Sequence, residues 1–150
     1  MKLLIINGPN LNLLGIREPD IYGKQTLAAL EEQVRSYCDA RRIETAFYQS
    51  NHEGDIVDKI QAAYGVYDGL IINPAAYTHT SIAIPDAIKA VGIPTVEVHL
   101  SDINAREAYR RHSFTSEASL ATIAGKHFAG YLEAVDLLQQ HLTAQHGESK

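Results

Sequence analysis

With a single cysteine, Cys38, in its 150 residues, the chain can form no internal disulfide. Cys38 falls in a helical pattern with no histidine near it in a motif, which marks a small core residue rather than a nucleophile. No segment approaches the roughly 20 apolar residues that cross a bilayer. Leu3–Ile6 is too short for the apolar region of a secretion signal, so a cytoplasmic location is expected. Excess positive charge is missing as well: the formal net charge is −5, and Lys and Arg are scattered. Nucleic acid and an anionic membrane are therefore not expected partners. Repeats, low-complexity stretches and linkers are absent. Gly8-Pro9-Asn10 does not supply the GxGxxG of a dinucleotide site, and no HExxH or comparable ligand spacing is present, so neither cofactor nor metal is expected. A metal set drawn from His79, Glu97, His99 and His112 is conceivable, but no ligand spacing supports it. A receiver domain would need an aspartate at position 73 and acids after the first strand, where this chain has Asn73 and Asn7.

What is present reads as one domain over residues 1–150, with a frayed tail from about residue 144. Met1–Ile6 is short and aliphatic and stops at Asn7-Gly8-Pro9-Asn10, as a buried parallel strand does. Thr26 is a candidate N-cap for a helix marked by Leu27, Leu30, Val34 and Cys38. Thr45–Gln49, Gly69–Ile72 and Pro94–His99 read as further strands. Ile56–Tyr64 and a segment from about Ile82 to Val91 read as helices, with Pro85 tolerable only in a first turn. His52-Glu53-Gly54 reads as a turn. Beyond it, Gly125 divides the last stretch into a fifth strand, Ser119–Ala124, and a closing helix, Lys126–Leu142, with Tyr131, Val135 and Leu138 inward. Alternating strands and helices predict an α/β flavodoxin-like three-layer sandwich with a five-stranded parallel sheet of order 2-1-3-4-5.

In such a sheet, ligands sit beyond the carboxyl ends of the strands, at the switch point between the first and third. Three polar stretches meet there. The connection after the first strand runs roughly 19 residues where about 2–6 are usual, which marks it as functional. Its leucines and isoleucines can pack while Asn10, Arg17 and Tyr22 reach outward. Asn73 through Ser81 presents an amide, an imidazole and hydroxyls; Asn73 and His79 together suit a hydroxylated substrate, whereas Thr78, Thr80 and Ser81 singly read as turn and capping residues. Glu97 and His99 share one strand face by the period of two, an expensive pair unless hydrogen-bonded and a natural acid–base device. Arg106, Arg110 and Arg111 form a local basic cluster suited to a small anionic substrate.

These stretches together carry a resemblance. Asn7-Gly8-Pro9-Asn10-Leu11, Arg17-Glu18-Pro19-Asp20-Ile21-Tyr22-Gly23, Asn51-His52-Glu53-Gly54, Asn73 through Ser81, and Glu97 through Ser101 followed by Ala105-Arg106-Glu107 and His112-Ser113 resemble the type II 3-dehydroquinate dehydratases. The match is collinear from residue 2 to about 140. The resemblance implies elimination of water from 3-dehydroquinate to give 3-dehydroshikimate, in the shikimate pathway or quinate catabolism, without cofactor, metal or Schiff base. By matching position, Tyr22 is the base at C2, Arg17 lowers its pKa, Asn10 holds a water against the enolate, and His99 is the acid at the departing hydroxyl. Glu97, on the same strand face, is available to orient His99 or a neighbouring amide. Asn73, His79, Leu100, Ser101, Arg106 and Arg110 bind substrate, and Asp86 reaches in from a neighbouring subunit of a homo-oligomer, a dodecamer built as a tetramer of trimers. The chain departs from the family pattern at Asp102 and Asn104, where Asn and His are common, and at Pro85. Asp102 is expected to set a negative charge beside the substrate carboxylate. The alternative function is a non-catalytic flavodoxin-like protein that binds a small molecule; metal-dependent hydrolysis is a third.

Overall fold

Leu3, Leu4, Ile5 and Ile6 are all fully buried because both faces of their strand are covered, the condition a parallel sheet imposes. The computed structural model describes residues 1–16 and 25–148. Its five strands are β1 (Lys2–Asn7), β2 (Glu44–Gln49), β3 (Gly69–Asn73), β4 (Thr95–His99) and β5 (Ala121–Ala124). They pair in parallel in the order β2-β1-β3-β4-β5, as the alternation predicts. The helices are α1 (Leu27–Asp39), α2 (Glu53–Ala62), α3 (Ala83–Val91) and α4 (Ala129–Glu148). No described helix is long and apolar enough to cross a membrane.

Strand alternation splits the core in two. Leu3, Ile5, Ile71, Val96, Val98 and Ile123 face one way and pack with Leu30, Val34 and Cys38 of α1 and Tyr131, Val135 and Leu138 of α4. Leu4, Ile6, Leu70 and Ile72 face the other way and pack with Ile56 and Ile60 of α2 and Ile84 and Ile88 of α3. Cys38 is buried, and burial pushes its thiol up to about 11, the inert state expected of a core residue. Thr26 caps α1, its Oγ1 accepting from the Ala29 N–H at 3.1 Å. Pro85 is the third residue of α3, where its missing N–H interrupts no intrahelical bond, and left-handed Gly92 ends that helix.

Two local expectations are corrected. Glu53 and Gly54 do not form a turn but open α2, where Glu53 and Asp55 place negative charge at the positive end of the helix dipole. The last helix begins at Ala129 rather than Lys126, because Gly125 and His127 both take positive φ, and it runs past Leu142 to Glu148. In the long connection Leu11 and Leu14 are buried against the core. Arg17 and Tyr22 lie outside the described residues.

The end of β1 lies directly on the turn after β3. The Gly8 N–H donates to the Asn73 carbonyl at 2.8 Å, and a Cβ at Gly8 would stand 2.6 Å from the Pro74 oxygen. Backbone opposes it, not a flexible side chain. Gly8→Ala is expected to destabilise the fold by roughly 1–3 kcal/mol, the usual penalty for overpacking. Urea unfolding of the two proteins checks this; equal midpoints would show that the approach can relax freely.

Candidate active site

At the carboxyl ends of β1, β3 and β4 lies a cleft open to solvent on one side. Pro9, Asn10 and Leu11 form one wall, Asn73, Ala75, Ala76 and His79 a second, and His99–Ser101 with Ile103, Arg106 and Arg110 the third. This is the switch point of the sheet, where the sequence placed it.

The third wall is built from inside the protein outward. Glu97 in β4 is fully buried and His99 is only 5% exposed, both on the α2–α3 face of the sheet. His99 Nε2 lies 2.5 Å from Glu97 Oε2. Three hydroxyls complete the carboxylate's surroundings. Thr78 donates to Oε2 at 2.5 Å, Ser113 donates to the same oxygen at 2.7 Å, and Thr122 donates to Oε1 at 3.1 Å. A carboxylate offers about four acceptor positions and no donor when ionised, and here four donors converge on it. Burial pushes the Glu97 carboxyl up, but the hydrogen bond and charge of His99 and the bonds from Thr78 and Ser113 outweigh it, leaving the group below the ordinary glutamate range. An accepting carboxylate requires Nε2 of His99 to carry its hydrogen, which turns Nδ1 into the atom available for proton exchange.

His79 is held differently. Its Nδ1 donates to the His112 carbonyl at 2.7 Å, so Nε2 is the free lone pair of the neutral ring. Burial lowers its pKa and the charges of His99 and Arg110 lower it further, against a rise from the His112 bond. A neutral His79 can accept a hydrogen bond at Nε2, while Arg106 and Arg110 bring positive charge to the same space. The Arg110 guanidinium is oriented by Glu107 at 3.1 Å.

The second wall rests on two asparagines that are register partners, Asn7 of β1 and Asn73 of β3. Both side chains meet the hydroxyl of fully buried Tyr131 in α4: Tyr131 donates to Asn7 Oδ1 at 2.6 Å and accepts from Asn73 Nδ2 at 3.0 Å. Asn73 Oδ1 accepts from the Ala75 N–H at 3.0 Å. Ala75 takes φ of 52°, a left-handed backbone that costs an L-residue about 1–2 kcal/mol. Asn10 is left-handed too, a conformation asparagine tolerates, and its N–H donates to Asn51 Oδ1 at 3.0 Å.

Of the residues read as site residues in the sequence, Asn10, Asn73, His79, His99, Leu100, Ser101, Arg106 and Arg110 line the cleft, and Glu97 stands behind His99. Asp86 does not line it; it is exposed in the first turn of α3. Asp102 is absent from the lining as well, and its Oδ1 accepts from the Asn104 N–H at 3.0 Å. The carboxylate caps the turn that follows it, between Ser101 and Ile103 of the cleft wall. Arg17 and Tyr22 lie outside the described residues. Among the described residues His79, Glu97, His99 and His112 are not arranged as a group that could hold a metal ion. Sequence reasoning missed Thr122 and Tyr131 as polar partners and read Thr78 as a turn residue; Ser81 does cap, accepting from the Ile84 N–H at 3.1 Å.

Because the folded-state pKa of Glu97 is depressed, its contribution to stability is complete above the ordinary value of 4.5 and is lost as pH falls through the lower, folded value. Glu97→Gln removes that dependence, since glutamine does not titrate. The Tm difference between wild type and Glu97→Gln is expected to be largest near neutral pH and to shrink below pH 4.5. A difference that stays constant into acid would sink this assignment.

The sequence matches the family described as dehydroquinase class II over residues 1–139. A 3-dehydroquinate dehydratase of Wolinella succinogenes is 52% identical over 143 residues, covering 95% of this chain and 86% of the relative. A catabolic 3-dehydroquinase of Verticillium alfalfae is 48% identical over 141 residues, covering 94% of each. The crystal structure of a type II dehydroquinase from Butyrivibrio crossotus superposes with a TM-score of 0.91 at 50% identity, covering 93% of this chain and 97% of that one. With this extent of match in sequence and backbone, the chain belongs to the class II dehydroquinase family.

Proposed function

We propose that this protein eliminates water from 3-dehydroquinate to give 3-dehydroshikimate. The observation that carries the reading is the His99–Glu97 pair: a nearly buried imidazole at the cleft wall, backed by a buried carboxylate with four donors. Such a carboxylate fixes the imidazole ring, and a protonated imidazole is the form that can protonate a leaving hydroxyl. Arg106 and Arg110 suit the substrate carboxylate, and the free Nε2 of His79 and the Asn73–Ala76 turn suit its hydroxyls.

The reaction proceeds in two steps. Tyrosinate Tyr22 takes a C2 proton and leaves an enolate, whose charge is met by a water held on Asn10. The enolate then collapses to form the C1–C2 double bond, and the C1 hydroxyl leaves as water with a proton from His99. Arg17 keeps Tyr22 ionised. A free tyrosine has a pKa of about 10, so about one in a thousand is ionised at neutral pH. A neighbouring guanidinium supplies about 1–3 units of the required shift.

An assay following enone absorbance with 3-dehydroquinate tests the reading, and no turnover by folded protein would favour the non-catalytic binding alternative. Tyr22→Phe is expected to lower kcat by about 10²–10⁴-fold with KM largely kept, the usual worth of a general base. Near wild-type turnover in that variant would place the base elsewhere.

The second part of the reading is a homo-oligomer, a dodecamer of four trimers, in which Asp86, exposed on α3 and outside the cleft of its own chain, completes the site of a neighbouring copy. Sedimentation with parallel dilution of activity is expected to show turnover falling as the assembly dissociates. A fully active monomer would rule this out.

A further inference from the structure

Tyr131 is a fully buried hydroxyl on the face of the sheet opposite Glu97, and it does not itself line the cleft. Its two polar contacts are nevertheless the side chains at the ends of β1 and β3, Asn7 and Asn73. These strands flank the switch point, and the asparagines are adjacent in register. Helix α4 thereby reaches from beneath the sheet to the two strand ends from which the cleft walls depart.

Proton accounting fixes the direction of the chain. The hydroxyl has one hydrogen, which goes to Asn7 Oδ1, so the amide presented by Asn73 must be its donating end. The accepting end, Oδ1, is then turned to the Ala75 N–H. Reversing Asn73 would set its NH2 against that N–H. The left-handed turn at Ala75, which lines the cleft with Ala76, is held by this bond.

We propose that the Tyr131 hydroxyl is a positioning residue for substrate binding, holding the Asn73 carboxamide so that the Asn73–Ala76 turn keeps the shape that receives the ligand. The inference rests on the cleft being a 3-dehydroquinate site. Tyr131 acts through Asn73, so its removal weakens binding more than it slows chemistry at His99, which is built on the other face of the sheet.

The test is Tyr131→Phe, which deletes the hydroxyl and keeps the ring. KM is expected to rise about tenfold with kcat within about threefold of wild type. Asn73→Ala alone is expected to raise KM, and the double variant to be no worse than Asn73→Ala, because residues acting through one contact are non-additive. Unchanged KM in a folded Tyr131→Phe protein, or KM effects that multiply in the double variant, would overturn the proposal. A merely structural tyrosine would lower Tm and leave that kinetic pattern absent. Amide hydrogen exchange at Ala75 gives a second readout, faster in Tyr131→Phe than in wild type if the turn is held as described, and unchanged if it is not. Wild-type protein that fails to turn over 3-dehydroquinate would defeat the functional reading instead, and the Ala75 exchange would still decide the positioning role. Should Tyr131→Phe not fold, Tyr131→Leu also deletes the hydroxyl and is read the same way; loss of fold in both variants would assign the cluster to stability alone and overturn the inference.

Discussion

A carboxylate with no exposure to solvent has to be hydrogen-bonded or it becomes neutral, and Glu97 imposes that requirement on the whole third wall of the cleft. Its donors come from separate parts of the chain: His99 two residues on in β4, Thr78 from the turn after β3, Ser113 from the segment beyond the arginines, and Thr122 from β5. The β4–β5 register sets Thr122 directly beside Glu97. One buried charge thereby ties the turn, the loop and the edge strand to a single carboxylate. The orientation of His99 follows from the same demand.

The sheet lets two kinds of polar machinery approach one cleft without interfering. Side chains alternate along a strand, so Glu97 and His99 emerge toward α2 and α3 while Asn7 and Asn73 emerge toward α1 and α4. A buried imidazole–carboxylate pair is set on one face and a tyrosine–asparagine cluster on the other. Between them run the aliphatic residues of β1 and β3, which keep both networks dry and therefore rigid.

Local signals accounted for much of the fold. The aliphatic strands, the helical spacing after Thr26, Pro85 in a first turn and the glycine break at Gly125 each depend on a few neighbouring residues, and the structure follows all of them. The strand order follows from alternation. Where local signals competed, the sequence misled: His52-Glu53-Gly54 reads as a turn, but acidic residues at its end serve a helix start equally well, and packing of Ile56 and Ile60 decides for the helix. Asp102 carries a local role that the sequence reading did not assign, accepting from the Asn104 N–H two residues on.

By itself the sequence determined the alternation of strands and helices, the crevice at their carboxyl ends, and the pairing of Glu97 with His99, because periods of two and 3.6 residues are read within one element. Motif order along the chain determined the family. Only the tertiary structure decided that Thr78 serves a carboxylate instead of a turn, that Thr122 joins it from β5, and that Tyr131 ties Asn7 to Asn73. Those contacts span 19 to 124 residues of chain. A hydroxyl has the same local signature whether it caps a turn or neutralises a buried charge. Which partner it meets is set by strand register and helix packing, and these exist only once the chain has folded.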